Sequence, residues 1–176
     1  VTLSLRDVAR GYLPQPVPVA TDIQAQLAEI GVNVTIDVQE STTFIDNSNA
    51  GELGMHLLGW GADYPDPTNF LDFHFGAGAS PQFGTGFTDV EETLSEAGSL
   101  TDEAERFALY QQANELLAEH IPMVPLAHGG SGLAYKASVT GAHASPLSNE
   151  NLSVMGIDGQ DQFVFVQNGE PGGLYC

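Results

Sequence analysis

The chain has 176 residues, of which 42% are hydrophobic, and its mean hydropathy is -0.05, so it is long enough to bury the core of one globular domain. Its 4 basic and 23 acidic residues give a formal net charge of -19, and this negative field excludes nucleic acid and anionic membranes as partners. No apolar run approaches the ~20 residues of a membrane span, and the single cysteine, Cys176, excludes an internal disulfide.

The first part of the chain alternates predicted strands with a predicted helix. Residues 1–5 alternate apolar and polar side chains, as a half-buried strand does. After an extended, proline-rich entry loop, apolar residues recur at three- and four-residue spacing over 18–30, which predicts a helix. Residues 32–38 alternate again and are rich in β-branched side chains. Because the joins are short, this order predicts a βαβ unit with a parallel pair of strands.

A stiff loop with a carboxylate and an indole follows the third predicted strand. Ser41 or Thr42 is expected to cap a short helix before that strand, which covers 55–58 and reads as buried on both faces. Small residues then surround Trp60, and two prolines exclude regular structure over 63–67. A strand end, a loop that allows close approach and a helix start are a common layout of ligand sites in α/β proteins. The residue types alone fit a tight crossover with a surface aspartate and a core tryptophan equally well.

This loop resembles a motif of the oligopeptide and dipeptide solute-binding proteins of ABC importers, in the sequence WGADYPDPTNFL from Trp60 to Leu71. That family, solute-binding family 5, is extracytoplasmic and also includes nickel binders. In its peptide binders, the aspartate that Asp63 matches pairs with the free α-amino group of the peptide. The resemblance therefore implies a ligand-binding set of Trp60, Gly61, Asp63 and Tyr64.

Two further helices are predicted in the second half of the chain. Thr88 or Asp89 is expected to cap a helix over 88–97, and Thr101 a stronger helix that ends near His120. The apolar stripe of the second helix is expected to contain Phe107, Tyr110, Ala113 and Leu117, widened by Leu109 and Leu116. Short strands are predicted over 121–127, 133–135 and 163–166.

The resemblance extends over these elements and implies the fold and the domain organisation. The helix shares the order Asp102, Arg106, Tyr110, Ala113 and Leu117 with the family. The implied fold class is α/β, with a mixed sheet and flanking helices, as in one lobe of a type II periplasmic-binding-protein fold. Residues 1–145 are expected to form the C-terminal-type lobe. Residues 146–176 are expected to form a trailing segment, a linker plus the first strand of an adjoining lobe.

The five histidines provide an alternative to peptide binding. His56, His74, His120, His128 and His143 occur in a chain that also has Asp63, Asp66 and Asp72. They form no His-x₃-His pair, so a metal site would need ligands that converge from distant loops. Nickel capture by the same family, a metal-dependent hydrolase and an acidic interaction module therefore stay open as alternatives. The favoured interpretation of the histidines is that they are buried or surface residues without a role in metal binding or catalysis.

The sequence thus predicts a non-enzymatic, extracytoplasmic solute-binding component of an ABC importer. It is expected to lie in the periplasm or to be a lipoprotein at the cell surface, and no cofactor is expected. The expected partners are a small peptide, an ABC permease reached through the full-length protein, and an N-terminal lobe outside these residues. Ligand identity and length preference are not specified by the sequence.

Overall fold

The structure, a computed structural model, describes residues 1–130, 132–145, 147 and 152–158, together with the backbone of two strands at 163–167 and 170–172. The chain divides into two compact units. The first comprises Val1–Trp60 and Asp66–Leu126, and the second comprises Gly61–Pro65 and Ala127–Cys176.

The first unit contains a small parallel sheet with one apolar and one polar face. Strands β1 (Thr2–Arg6), β2 (Thr35–Gln39) and β3 (Met55–His56) are ordered β2-β1-β3, and both pairings are parallel. Helix α1 (Pro16–Glu29) connects β1 to β2, which confirms the predicted βαβ unit. The apolar face is buried against α1 and its neighbours, in a cluster of Leu3, Leu5, Ala20, Val34 and Leu57.

Helices form the remainder of the first unit. Helix α2 (Ser41–Asn49) lies near the sheet, and α3 (Leu71–Phe75), α4 (Thr88–Ser99) and α5 (Glu103–His120) follow. A second core cluster lies among the last three helices, and its members are Phe75, Val90, Leu94, Ala97, Tyr110, Ala113 and Leu117. Of the described residues, none belongs to a helix that is both long enough and apolar enough to cross a bilayer.

The start of one helix and the caps of three others differ from the predictions. Helix α1 begins at Pro16, since proline is tolerated in the first turn, where its missing N–H has no intrahelical partner. The carboxylate of Glu40, rather than Ser41 or Thr42, caps α2. Asp102, rather than Thr101, caps α5 by accepting from the amides of Ala104 and Glu105 at 3.0 Å. Helix α4 follows Phe87 without a side-chain cap.

Three predictions about apolar residues are wrong. The strand at 55–58 is shorter, and Met55 and His56 are half-buried, because β3 lies at the edge of the sheet. Phe107 is 63% exposed, so the buried stripe of α5 is Tyr110, Ala113 and Leu117. No strand forms over 121–127: Ile121 ends α5 in the left-handed region at φ 51, and the prolines that follow remove ladder donors.

The second unit contains antiparallel pairs. Strand β4 (Gly132–Lys136) pairs with β7 (Phe163–Gln167), which pairs with β8 (Glu170–Gly172). A separate pair joins β5 (Val139–Thr140) to β6 (Gly156–Ile157). The strands predicted at 133–135 and 163–166 are confirmed. Parallel and antiparallel strands thus both occur, but in separate sheets.

Candidate functional site

Trp60 is held in the first unit by the residues that follow the loop. Its indole Nε1 donates to Asn69 Oδ1 at 3.2 Å, and Asn69 is only 4% exposed. The indole stacks on Phe73 with ring centroids 4.2 Å apart, and the ring of His74 meets it edge-on at 5.2 Å. These contacts fix the orientation of the indole. Because Trp60 is only half-buried, part of its surface remains accessible.

Asp66 begins the short 3₁₀ helix Pro67–Asn69 and is also paired with an arginine. Its Oδ1 accepts from the amide of Thr68 at 3.0 Å and from the Thr68 hydroxyl at 2.7 Å. Arg106 of α5 donates to both carboxylate oxygens, at 2.9 and 2.7 Å. Hydrogen bonding to the guanidinium holds the pKa of the Asp66 carboxyl well below its usual range. The carboxylate is therefore ionised and hydrogen-bonded to both Arg106 and Thr68.

A second carboxylate, that of Asp72, is hydrogen-bonded to helix α5. The Tyr110 hydroxyl donates to Asp72 Oδ2 at 3.2 Å. Burial raises the pKa of the Asp72 carboxyl, because removal from water disfavours the charged form. Burial likewise raises the pKa of the Tyr110 hydroxyl, and the Asp72 charge adds to that effect. Tyr110 therefore stays a neutral donor, and the pair links α3 to the core around α5.

The two glycines beside Trp60 have different surroundings. A Cβ atom added at Gly59 would lie 2.3 Å from Cδ2 of the Tyr12 ring, so a close approach requires glycine at this position. A Cβ added at Gly61 would meet none of the described protein atoms within 4 Å. The close approach predicted from the small residues is thus made to the protein itself at Gly59. Nothing in the described fold requires glycine at Gly61.

The remaining predicted site residues belong to the second unit. Gly61, Asp63 and Tyr64 lie in the Gly61–Pro65 segment. All three are exposed, and Tyr64 is 46% exposed despite its large ring. A carboxylate and a phenol ring are therefore accessible to solvent beside each other in the chain.

Three of the five histidines contact other polar side chains of the protein. The amide of Gln82 lies 2.9 Å from Nδ1 of His74, and Ser48 Oγ lies 3.4 Å from Nε2 of His56. Burial lowers the pKa of both imidazoles. His120 meets Asp89 at 2.9 Å. Within the described part of the chain, no three histidine, cysteine or acidic side chains are grouped as metal ligands would be.

A cavity of about 640 Å³ lies elsewhere in the first unit. It is lined by residues at the start of β1 and β3 and on the polar face of β2, namely Val1, Thr2, Ser4, Asp37, Gln39, Asn47, Glu52, Leu53, Gly54 and Met55. It therefore extends along the polar face of the sheet, from the start of β1 and β3 to the end of β2. Trp60 follows the C-terminal end of β3, and α/β proteins place their ligand sites at that edge of a parallel sheet.

Sequence reasoning missed the residues that hold the loop in place. Asn69, Gln82 and the role of Arg106 were not predicted, although Arg106 was part of the recognised pattern. The scarcity of positive charge was an available signal, because only 4 residues of the chain are basic. An arginine in a core-forming helix of such a protein is a strong candidate for a specific carboxylate partner.

Solved structures identify the class of protein to which this fold belongs. A dipeptide-binding protein from Pseudoalteromonas sp. SM9913, in complex with Met-Leu, has a TM-score of 0.70 and 28% identity, over 89% of this chain and 32% of its own. A periplasmic binding protein from Helicobacter pylori that is associated with an ABC transporter, in complex with the peptide STSA, has a TM-score of 0.62 and 34% identity. That match covers 72% of this chain and 25% of the other. The fold is that of part of a type II periplasmic binding protein, as predicted.

The family follows from the sequence comparison. Residues 3–82 match the model of the bacterial extracellular solute-binding proteins, family 5 Middle. Di/tripeptide-binding protein 4 of Pseudomonas aeruginosa strain UCBPP-PA14 is 33% identical over 161 residues, or 89% of this chain. The chain belongs to family 5 of the bacterial extracellular solute-binding proteins, which confirms the predicted family and the extracytoplasmic location. It spans about 30% of the length of that relative.

Proposed function

We propose that the protein that carries this chain captures small peptides outside the cytoplasm and presents them to the permease of an ABC importer. The observation that carries the proposal is the segment from Trp60 to Leu71, in a chain whose similar solved structures hold Met-Leu and the peptide STSA. Residues 1–145 provide one lobe, of C-terminal type, and an N-terminal lobe provides the other contacts. Residues 146–176 then lead towards the adjoining lobe.

Asp63 is proposed to bind the α-ammonium group of the peptide. An exposed carboxylate in a segment without regular structure is accessible to a ligand, and a charge-assisted hydrogen bond to an ammonium is among the stronger polar contacts. The net charge of -19 favours a cationic group over an anionic one.

Trp60, Gly61 and Tyr64 are proposed to contact the rest of the peptide. The exposed aromatic surface of Tyr64 offers apolar or cation–π contact. Gly61 has space where a side chain would otherwise project, so the ligand backbone can approach and hydrogen-bond the loop backbone. Such contacts do not depend on ligand side chains, which suits a protein that accepts many peptides.

We propose no catalytic role and no cofactor for this chain. The relatives named above are binding proteins, and a hydrolase would need a nucleophile or a metal-bound water held by convergent ligands. Three of the five histidines, His74, His56 and His120, instead contact Gln82, Ser48 and Asp89 respectively. Nickel capture is thereby disfavoured relative to peptide capture.

Calorimetric titration of the intact protein with trialanine and with N-acetyl-trialanine tests this proposal. The wild type should bind the free peptide and bind the acetylated peptide far more weakly, and Asp63→Asn should lose that preference. Asp158→Asn is the matched control, because it removes the same charge from another exposed site in the second unit. Binding of Ni²⁺ but of neither peptide would contradict the proposal in favour of metal capture.

A further inference from the structure

The residue that follows the Gly61–Pro65 segment is tied to helix α5 by a bidentate ion pair. The two guanidinium nitrogens of Arg106 reach Asp66 Oδ2 at 2.9 Å and Oδ1 at 2.7 Å. The partners lie 40 positions apart in the sequence. A planar guanidinium that meets both oxygens fixes the direction of the carboxylate as well as its distance. The pair therefore fixes the position of Asp66 relative to α5.

Arg106 also contacts a residue of the buried core. Its guanidinium lies 4.9 Å from the centroid of the Tyr110 ring, and Tyr110 is only 3% exposed. The Tyr110 hydroxyl donates in turn to Asp72 of α3. The ion pair is thus one end of a chain of contacts that begins in the helical core and ends at Asp66.

The opposite end of the segment is anchored on the same short stretch of chain. Trp60 donates to Asn69 and stacks on Phe73, and both of these residues lie between Asp66 and the end of α3. Fixing both ends of a short segment reduces the number of conformations it can adopt. A binding segment that is ordered beforehand loses less entropy when it meets its ligand.

We infer that the Asp66–Arg106 pair is a positioning device for the Gly61–Pro65 segment, and that Arg106 sets peptide affinity without touching the peptide. This inference rests on the proposed function for its consequence in binding. The ordering of the segment itself is independent of any ligand, and can be measured without one.

Hydrogen–deuterium exchange of the intact protein, without peptide, tests the ordering. In Arg106→Ala the amides of 60–64 should exchange about tenfold faster, as expected for the loss of charge-assisted hydrogen bonds, whereas the amides of β1 and β2 keep their wild-type rates. In Arg106→Lys the exchange rate of these amides should lie between those of the wild type and Arg106→Ala, because lysine keeps the charge but cannot make the bidentate hydrogen bonds of a guanidinium. Arg10→Ala, an exposed arginine, controls for the lost charge and should behave as wild type.

Asp66→Asn provides a second variant if Arg106→Ala does not fold, since asparagine can still cap the turn while it weakens the pairing with Arg106. Unchanged exchange at 60–64 in a folded variant, or a rise that is equal throughout the first unit, would overturn the inference. In trialanine titrations, Arg106→Lys should bind the peptide more weakly than the wild type does, and Arg106→Ala should bind it more weakly still. If the wild type binds no peptide while exchange responds locally, the proposed function fails and the positioning role stands.

Discussion

The Gly61–Pro65 segment and the residues on either side of it differ in their exposure to solvent. Trp60 and Asp66 each have specific partners in the first unit, namely Asn69 and Phe73 for the indole and Arg106 for the carboxylate. Asp63 and Tyr64, between them in the chain, are exposed. The sequence motif that defines this loop therefore contains residues of two kinds, which are adjacent in the chain and differ in their physical role.

This difference separates stability from recognition within one motif. Substitutions among the packed residues should lower the free energy of unfolding, because they remove buried contacts or leave polar groups unpaired. Substitutions of the exposed residues should leave that free energy nearly unchanged and alter ligand affinity instead.

The largest effect on stability is expected in the helical core. Leu94 is 1% exposed and lies in the cluster formed by α3, α4 and α5. Leu94→Ala should lower the free energy of unfolding of the 176-residue chain by roughly 2–5 kcal/mol, the range for buried leucine truncations. Leu126→Ala, at a position that is 63% exposed, should change it by less than about 0.5 kcal/mol. Urea denaturation measures both values, and equal effects would refute the assignment of this core.

The next largest effect is expected on affinity, at Asp63. Asp63→Asn should weaken binding of a free tripeptide by roughly 10- to 100-fold, since hydrogen bonds to charged groups contribute about 1.5–3 kcal/mol. Without peptide, the melting temperature should match that of wild type, because Asp63 is exposed. Titration calorimetry and thermal unfolding provide the two readouts. A lowered melting temperature with unchanged affinity would place Asp63 among the structural residues.

The two glycines beside Trp60 offer a matched pair of substitutions. Gly59→Ala should destabilise the intact protein by about 1–3 kcal/mol, because the added methyl group would collide with the Tyr12 ring. Gly61→Ala meets no described atom, so its melting temperature should stay near that of wild type while peptide affinity falls. The reverse pattern, with Gly61→Ala unstable and Gly59→Ala tolerated, would contradict this distinction.

The smallest effect is expected from pH. Burial lowers the pKa of His74 in the folded chain, whereas an unfolded histidine titrates near about 6.5. Below that pH the unfolded state binds a proton that the folded state resists, so this stabilising contribution is present above the unfolded pKa and is lost as pH falls.

Denaturation at several pH values between 7 and 5 checks this sign. Stability should decline towards pH 5, and His74→Gln should make the decline shallower. His120→Gln is the comparison, because that histidine is exposed beside Asp89. A steeper decline in His74→Gln would show that His74 is not held neutral by burial.

Local patterns were sufficient to predict much of the first unit. Alternation in β1 and β2 and the helical period of α1 have short-range causes, and the short joins between them indicated the parallel pairing that the structure contains. Cap assignments were displaced by one residue at Glu40 and Asp102. A serine or threonine and a neighbouring carboxylate are all capable caps, and composition alone does not determine which side chain accepts the free amides.

The contacts that anchor the loop depend on long-range geometry. Asp66 and Arg106 are separated by 40 positions, and no periodicity relates a loop carboxylate to one helical arginine. The missing strand at 121–127 has a similar origin, since a strand needs a partner strand as well as apolar residues. Asp63 was selected through the family resemblance, because an exposed aspartate in a loop has no local signature of binding.

A crystal structure of the intact protein with trialanine bound would show directly which carboxylate binds the peptide amine. We expect the peptide α-ammonium nitrogen to lie about 2.7–2.9 Å from a carboxylate oxygen of Asp63, while Asp66 keeps both of its bonds to Arg106. An ammonium group paired with Asp66, or with any carboxylate other than Asp63, would contradict the division of this loop into anchoring and recognition residues.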